Sequence, residues 1–209
     1  MTSRSYGQYC GLARALDVVG GRWSLLIVRE LLVGPARYRE LQAGLPGIAT
    51  NLLAERLRHL EAAGVVQRQL DNESNGVVYA LTPWGDKLRG AIDGLVNWSA
   101  PLMVSGPCGD SFRTHWLAVA LRALLRGKQS EVPITVAVEV DDSTIVTVHV
   151  DQTGARVALD GDRQVETVLS AEPAVVLGLA AGALTVEQAI AAGVVRGDKN
   201  QLAAALAPS

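Results

Sequence analysis

Apolar positions in the first half of the chain recur at helical spacing. Leu12, Leu16 and Val19 mark a short helix that stops at Gly20-Gly21, and residues 23–32 read as a second, very apolar helix ended by Gly34-Pro35. Tyr38, Leu41 and Leu45 give a third, stopped by Pro46-Gly47. Leu53, Leu57 and Leu60, at i, i+4 and i+7, give a fourth that closes at Gly64. The period then changes to two. Residues 65–70 and 77–81 read as strands joined by a polar loop ending in Asn75-Gly76, a turn-forming pair. Thr82-Pro83 supplies a cap residue with proline at the first helical position, which predicts a last helix to about Trp98.

Residues 99–110 hold Pro101, Gly106, Pro107 and Gly109 and cannot continue a helix. A linker is expected there, between domains at 1–98 and 111–209. Beyond it, residues 113–126 predict a helix with an apolar face of Trp116, Ala120, Leu121, Leu124 and Leu125. Ile134, Val136, Val138 and Val140 alternate, as do Val146, Val148 and Val150 against Ile145, Thr147 and His149. Further strands are expected at 155–159 and 165–169, helices at 173–181 and 186–192, a short strand at 194–196 and a helix from Asp198. The whole reads as an α+β chain: a helical module with a two-stranded wing, then an α+β layer with a mainly antiparallel sheet.

Composition narrows the function classes. With 49% hydrophobic and 19% charged residues over 209 positions, the chain can bury a sizeable core. No apolar run approaches the ~18 residues of a membrane span, and residues 1–10 lack an apolar signal core, so a soluble, cytoplasmic protein with no membrane partner is expected. Two cysteines, Cys10 and Cys108, and three scattered histidines, His59, His115 and His149, give no metal-ligand spacing. No nucleophile elbow, phosphate loop or dinucleotide fingerprint is present, and Asp141-Asp142 and Asp160/Asp162 fall in predicted turns, where Asp is favoured for backbone reasons. Neither an enzyme nor a cofactor is expected. Residues 1–100 carry 11 basic and 9 acidic side chains, and the remainder 8 and 12. Residues 22–68 hold seven arginines against four glutamates, which suits a polyanionic partner but is also ordinary for a solvated surface.

Helix, helix, short turn, helix, hairpin is the order of a winged helix-turn-helix. There a helix fits the DNA major groove, the preceding helix braces it, and the hairpin touches the backbone or the minor groove. The bracing helix would be 38–44 and the recognition helix about 49–63. Removing its apolar stripe leaves Thr50, Asn51, Ala54, Glu55, Arg56 and Arg58 outward. Asn and Arg can make bidentate contacts to adenine and guanine, and Thr can touch a thymine methyl or a phosphate. Arg37, opening the bracing helix, and Arg68, in the wing, would contact the backbone. An ordinary amphipathic helix with a solvated face fits the same pattern.

Specific residues decide between these readings. Cys10, the run 15–23 (ALDVVGGRW), 25–31 (LLIVREL), 34–41 (GPARYREL), 45–48 (LPGI), 52–57 (LLAERL), 60–66 (LEAAGVV) and 79–82 (YALT) with Gly85 together resemble the HxlR-type winged helix-turn-helix regulators. The resemblance implies a homodimer that binds double-stranded DNA at an inverted repeat and regulates transcription. One departure is Ala49, where the family often holds a capping serine. Thr50 is then expected to cap the recognition helix. Cys10 lies where many members hold a thiol used to sense oxidants or electrophiles. Its place at a helix N-terminus favours thiolate, while a small apolar residue packed beside Tyr9 and Leu12 is the alternative.

The C-terminal half resembles the sterol carrier protein type 2-like fold, through its element order and the segment 183–198 (ALTVEQAIAAGVVRGD). That resemblance implies an apolar tunnel for a hydrophobic small-molecule effector, with Trp116 and Val138 in its wall; a filled scaffold domain is the alternative. The reading adopted is a DNA-binding regulator. A lipid carrier dimerised by its N-terminal domain is the rival.

Overall fold

The computed structural model describes residues 5–71, 76–103, 106–140, 144–159 and 164–208. Asp141-Asp142, Asp160, Asp162, and residues 72–75 of the wing loop lie outside them. The chain divides into two compact units, Met1–Ile92 and Asp93–Ser209. The division falls inside a helix, ahead of the Pro- and Gly-containing stretch at 99–110.

The first unit runs α1 (Gly11–Val19), α2 (Ser24–Leu31), β1 (Ala36–Arg37), α3 (Tyr38–Gly44), α4 (Thr50–Ala62), β2 (Val66–Leu70), β3 (Val77–Leu81) and α5 (Pro83–Asp86). Its sheet has the order β1-β3-β2 and is antiparallel throughout, with Val66 opposite Leu81 and Leu70 opposite Val77. Two residues of β1 carry no readable period, and only pairing with Val78 and Tyr79 makes them a strand. Leu53, Leu57 and Leu60 are buried as their spacing requires. Ile27, Val28 and Leu31 of α2, and Leu41, Leu45 and Ile48 of α3 and its turn, are buried in the same unit.

The helix expected from Pro83 to Trp98 is two. Lys87 N–H and Leu88 N–H bond three residues back, to Trp84 and Gly85 carbonyls, and this tightened turn separates α5 from α6 (Arg89–Ser99). Thr82 does cap α5, accepting from Gly85 N–H at 3.0 Å, and its hydroxyl donates to Gly64 carbonyl at 2.6 Å.

The second unit holds the end of α6, a 3₁₀ turn (Ala100–Met103), α7 (Thr114–Leu124), β4 (Ile134–Glu139), β5 (Ile145–Asp151), β6 (Gly154–Leu159), β7 (Thr167–Ser170), α8 (Pro173–Ala180), α9 (Val186–Ala192), β8 (Val194–Arg196) and α10 (Lys199–Leu206). The sheet order is β6-β5-β4-β7-β8. Three of the four pairings are antiparallel and the other, β4 with β7, is parallel, so the sheet is mixed. Val136, Val138, Val146, Val148 and Val150 form one core with Leu117 and Leu121 of α7, Leu179 of α8 and Leu202 of α10. The opposite face carries a small second apolar cluster, Ala137, Ile145 and Val168, beside polar groups: Thr135 Oγ1 lies 2.8 Å from His149 Nδ1, and Asp151 pairs with Arg156.

Candidate nucleic-acid interface

Helix α4 splits its side chains by angle. Leu53, Leu57 and Leu60 face inward, while Asn51, Glu55 and Arg58, again at i, i+4 and i+7, form an exposed stripe. Its N-terminus is not built as the sequence suggested. Ala49, in extended conformation, takes the cap position and offers no side-chain acceptor; Thr50 is already inside the helix. Thr50 instead serves α3: its Oγ1 accepts from Gln42 Nε2 at 2.7 Å, and its carbonyl accepts from Tyr38 hydroxyl at 2.6 Å. Tyr38 and Gln42 stand one turn apart on α3, so two bonds from one face of the bracing helix fix the first turn of α4. The spacing of these two residues was legible in the sequence, but their partner was not.

The nominated arginines separate into three environments. Arg58 is exposed, and its Nε bonds back to Ala54 carbonyl at 3.2 Å. Arg37 and Arg68 are exposed but engaged: Arg37 Nη2 donates to Asp71 Oδ2 at 2.8 Å, and Arg68 Nε donates to Glu61 Oε1 at 2.8 Å. Those carboxylates hold both guanidiniums above the ordinary arginine range. The pairs link wing to body, and each arginine meets a phosphate with its charge already partly matched by a carboxylate. Arg56 departs from the expectation of an outward side chain. It is only 25% exposed, and its Nε is enclosed beside Gly21 and Ser24. At five residues from Asn51 its Cα lies about 140° round the helix; its Nε stands at the α1–α2 turn, while its Nη1 donates to Glu55 Oε1 at 3.2 Å. Arg39 of α3, which sequence reasoning did not single out, is exposed with no ion-pair partner among the described residues.

Cys10 is exposed and stands at the N-cap of α1. The N–H groups of Ala13 and Leu12 lower its thiol below the ordinary 9.0. It is therefore not the packed residue of the alternative reading. In the second unit, Val138 has no surface open to water, from outside or from an internal cavity, and so lines no open tunnel. Trp116 lies outside the core; its ring stands edge-on to His115 at 5.8 Å, and the buried face of α7 centres on Leu117 and Leu121. Among the described residues no three His, Cys, Asp or Glu side chains are grouped to hold a metal, and no helix is long and apolar enough to cross a membrane.

Residues 18–105 match the HxlR-like helix-turn-helix family. The chain is 36% identical over 90 residues to the uncharacterised HTH-type transcriptional regulator YkvN of Bacillus subtilis, covering 43% of this chain and 76% of that one. It is 37% identical over 98 residues to YtcD, another uncharacterised HTH-type regulator of B. subtilis, covering 46% and 77%. Among solved structures, quinone-bound YodB of B. subtilis is similar at 33% identity and a TM-score of 0.39, over 43% of this chain and 96% of that one.

Proposed function

This chain belongs to the HxlR-like helix-turn-helix family, and from that premise we propose that it is a DNA-binding transcriptional regulator acting as a homodimer on an inverted-repeat operator. The observation that carries the reading is the exposed Asn51–Glu55–Arg58 stripe on a helix whose first turn is held by Tyr38 and Gln42. A helix presented in this way can lay Asn51 and Arg58 on base edges, with Thr50 at its start. Arg39, Arg37 and Arg68 then meet the backbone, and phosphate contacts set register while base contacts set sequence. Arg56 leaves the set of contact residues and braces α4 from behind.

Dimerisation is supported by apolar side chains that each unit leaves in water: Tyr9, Leu12 and Leu16 at α1, and Leu95 and Trp98 on α6. Cys10, exposed with a lowered thiol pKa, is proposed as an electrophile or oxidant sensor. For the second unit we propose a sterol carrier-like scaffold. Its element order favours that fold, while the closed packing around Val138 favours a scaffold over the tunnel of a lipid carrier.

Selection from a random duplex library by the full chain tests the reading. Enrichment of an inverted repeat with half-sites about 34 Å apart, or a multiple of that, is the expected result. Salt-sensitive binding with no enriched sequence would reject it.

A further inference from the structure

The first unit contains a cleft of about 560 Å³ between α1 and the start of β2, closed on its third side by α5. That is within the roughly 300–1,000 Å³ of small-molecule sites. One stripe of α1, Gly11, Arg14, Ala15 and Val18, forms its first wall. Val65 forms the floor. Trp84 and Lys87 come from α5 and its C-cap, and they are brought there by Gly85. A Cβ on that residue would stand 2.0 Å from Val65 carbonyl oxygen, so only glycine lets α5 seat directly on the chain entering β2.

The charges at the mouth are unbalanced. The Asp17 carboxylate is already satisfied by Ser5 hydroxyl and Tyr6 N–H, both at 2.9 Å, and has Arg14 at 3.8 Å. Lys87 is exposed with no ion-pair partner among the described residues. An apolar floor under a half-exposed indole, with one unmatched cation at the rim, is complementary to an apolar body ending in one negative charge.

We propose that this cleft binds an amphipathic organic monocarboxylate, with Lys87 holding the carboxylate and Ala15, Val18, Val65 and Trp84 enclosing the apolar body. A second copy of the chain is the competing occupant. The helix separates the two: Leu12 and Leu16, the exposed apolar pair on α1, project on a different face from the Arg14/Val18 stripe. The cleft also has a path to α4. Val18 carbonyl lies 3.0 Å from His59 Nε2, so a ligand that shifts α1 pulls on the last turns of that helix. This coupling rests on the DNA-binding reading; ligand binding itself does not.

The test uses the full chain without DNA. 1-Anilinonaphthalene-8-sulfonate is the fluorescent probe, displaced by decanoate or by decanol, which has the same chain length and no charge. Decanoate is expected to displace it at least tenfold more effectively than decanol. Lys87→Gln should weaken decanoate about fivefold. Ala15→Trp, at an exposed position on the cleft wall, should abolish binding with the melting temperature kept. Leu12→Glu should weaken self-association and leave decanoate affinity unchanged. Equal displacement by decanol, wild-type affinity in both Lys87→Gln and Ala15→Trp, or loss of binding in Leu12→Glu would each overturn the proposal. The second result would place the site elsewhere, and the third would make the cleft a contact between copies. With binding established, decanoate should shift DNA affinity by the factor by which DNA shifts decanoate affinity. No shift there, with displacement intact, would count against the regulatory reading alone.

Discussion

Replacing Gly85 by alanine tests the packing that builds both the winged unit and its cleft. The new Cβ would lie 2.0 Å from Val65 oxygen and 2.9 Å from its carbonyl carbon, while ordinary contact begins at 3.4 Å. The two segments must therefore part by about 1.4 Å, and the obstacle is backbone rather than the end of a flexible side chain. Thr82 N–H donates to that same oxygen at 3.0 Å, so the displacement also breaks a backbone hydrogen bond. Overpacking costs about 1–3 kcal/mol and the lost bond about 0.5–1.5 kcal/mol. Alanine returns up to about 1 kcal/mol of helix propensity, leaving a net loss of about 0.5–4.5 kcal/mol. Gly94 of α6, just inside the second unit, is the control for propensity in that unit's transition, since a Cβ there meets nothing within 4 Å. Gly94→Ala should be neutral or stabilising by propensity alone. Urea denaturation followed by tryptophan fluorescence and circular dichroism gives both values. The transition of the first unit is recognised as the one that Leu121→Ala, in the second unit's core, leaves in place. If Gly85→Ala is tolerated as well as Gly94→Ala, the close seating of α5 on Val65 is wrong, and with it the placement of Trp84 and Lys87.

Asn51→Ala should weaken the selected operator by about 1–3 kcal/mol and random duplex far less, read by fluorescence anisotropy; equal losses on both would remove α4 from base readout. Arg39→Ala should lower affinity for both duplexes and flatten the salt dependence by about one counterion, and by more than Arg37→Ala, because Arg37 already shares its charge with Asp71. The Cys10 thiol is lowered, so its thiolate fraction rises at lower pH than that of an ordinary cysteine. Iodoacetamide labelling should therefore reach its plateau at lower pH than in a model peptide and run faster than at Cys108. A native-state rate at Cys10 no greater than that of Cys108 would end the sensor reading.

The amino-acid order alone determined most of the local structure. Helical spacing of Leu53, Leu57 and Leu60 fixed the buried face of α4, and the two-residue period of Val136, Val138, Val146, Val148 and Val150 fixed the inner face of the second sheet. Periodicity is a property of one element at a time, so it served wherever one element met one core. It failed where a residue's role depended on a distant partner. Arg56 carried a charge but turned inward to Gly21 and Ser24. Thr50 had the right side chain for a cap and instead became the acceptor for Gln42. Arg37 and Arg68 found carboxylates 34 and 7 positions away. The parallel pairing of β4 with β7 is likewise invisible in either strand, because alternation says which face is buried and nothing of the neighbour's direction. The cleft belongs wholly to this second class. Its walls come from α1, Val65 and α5, and only the approach that Gly85 permits brings an otherwise ordinary tryptophan and lysine to the mouth of an apolar hollow.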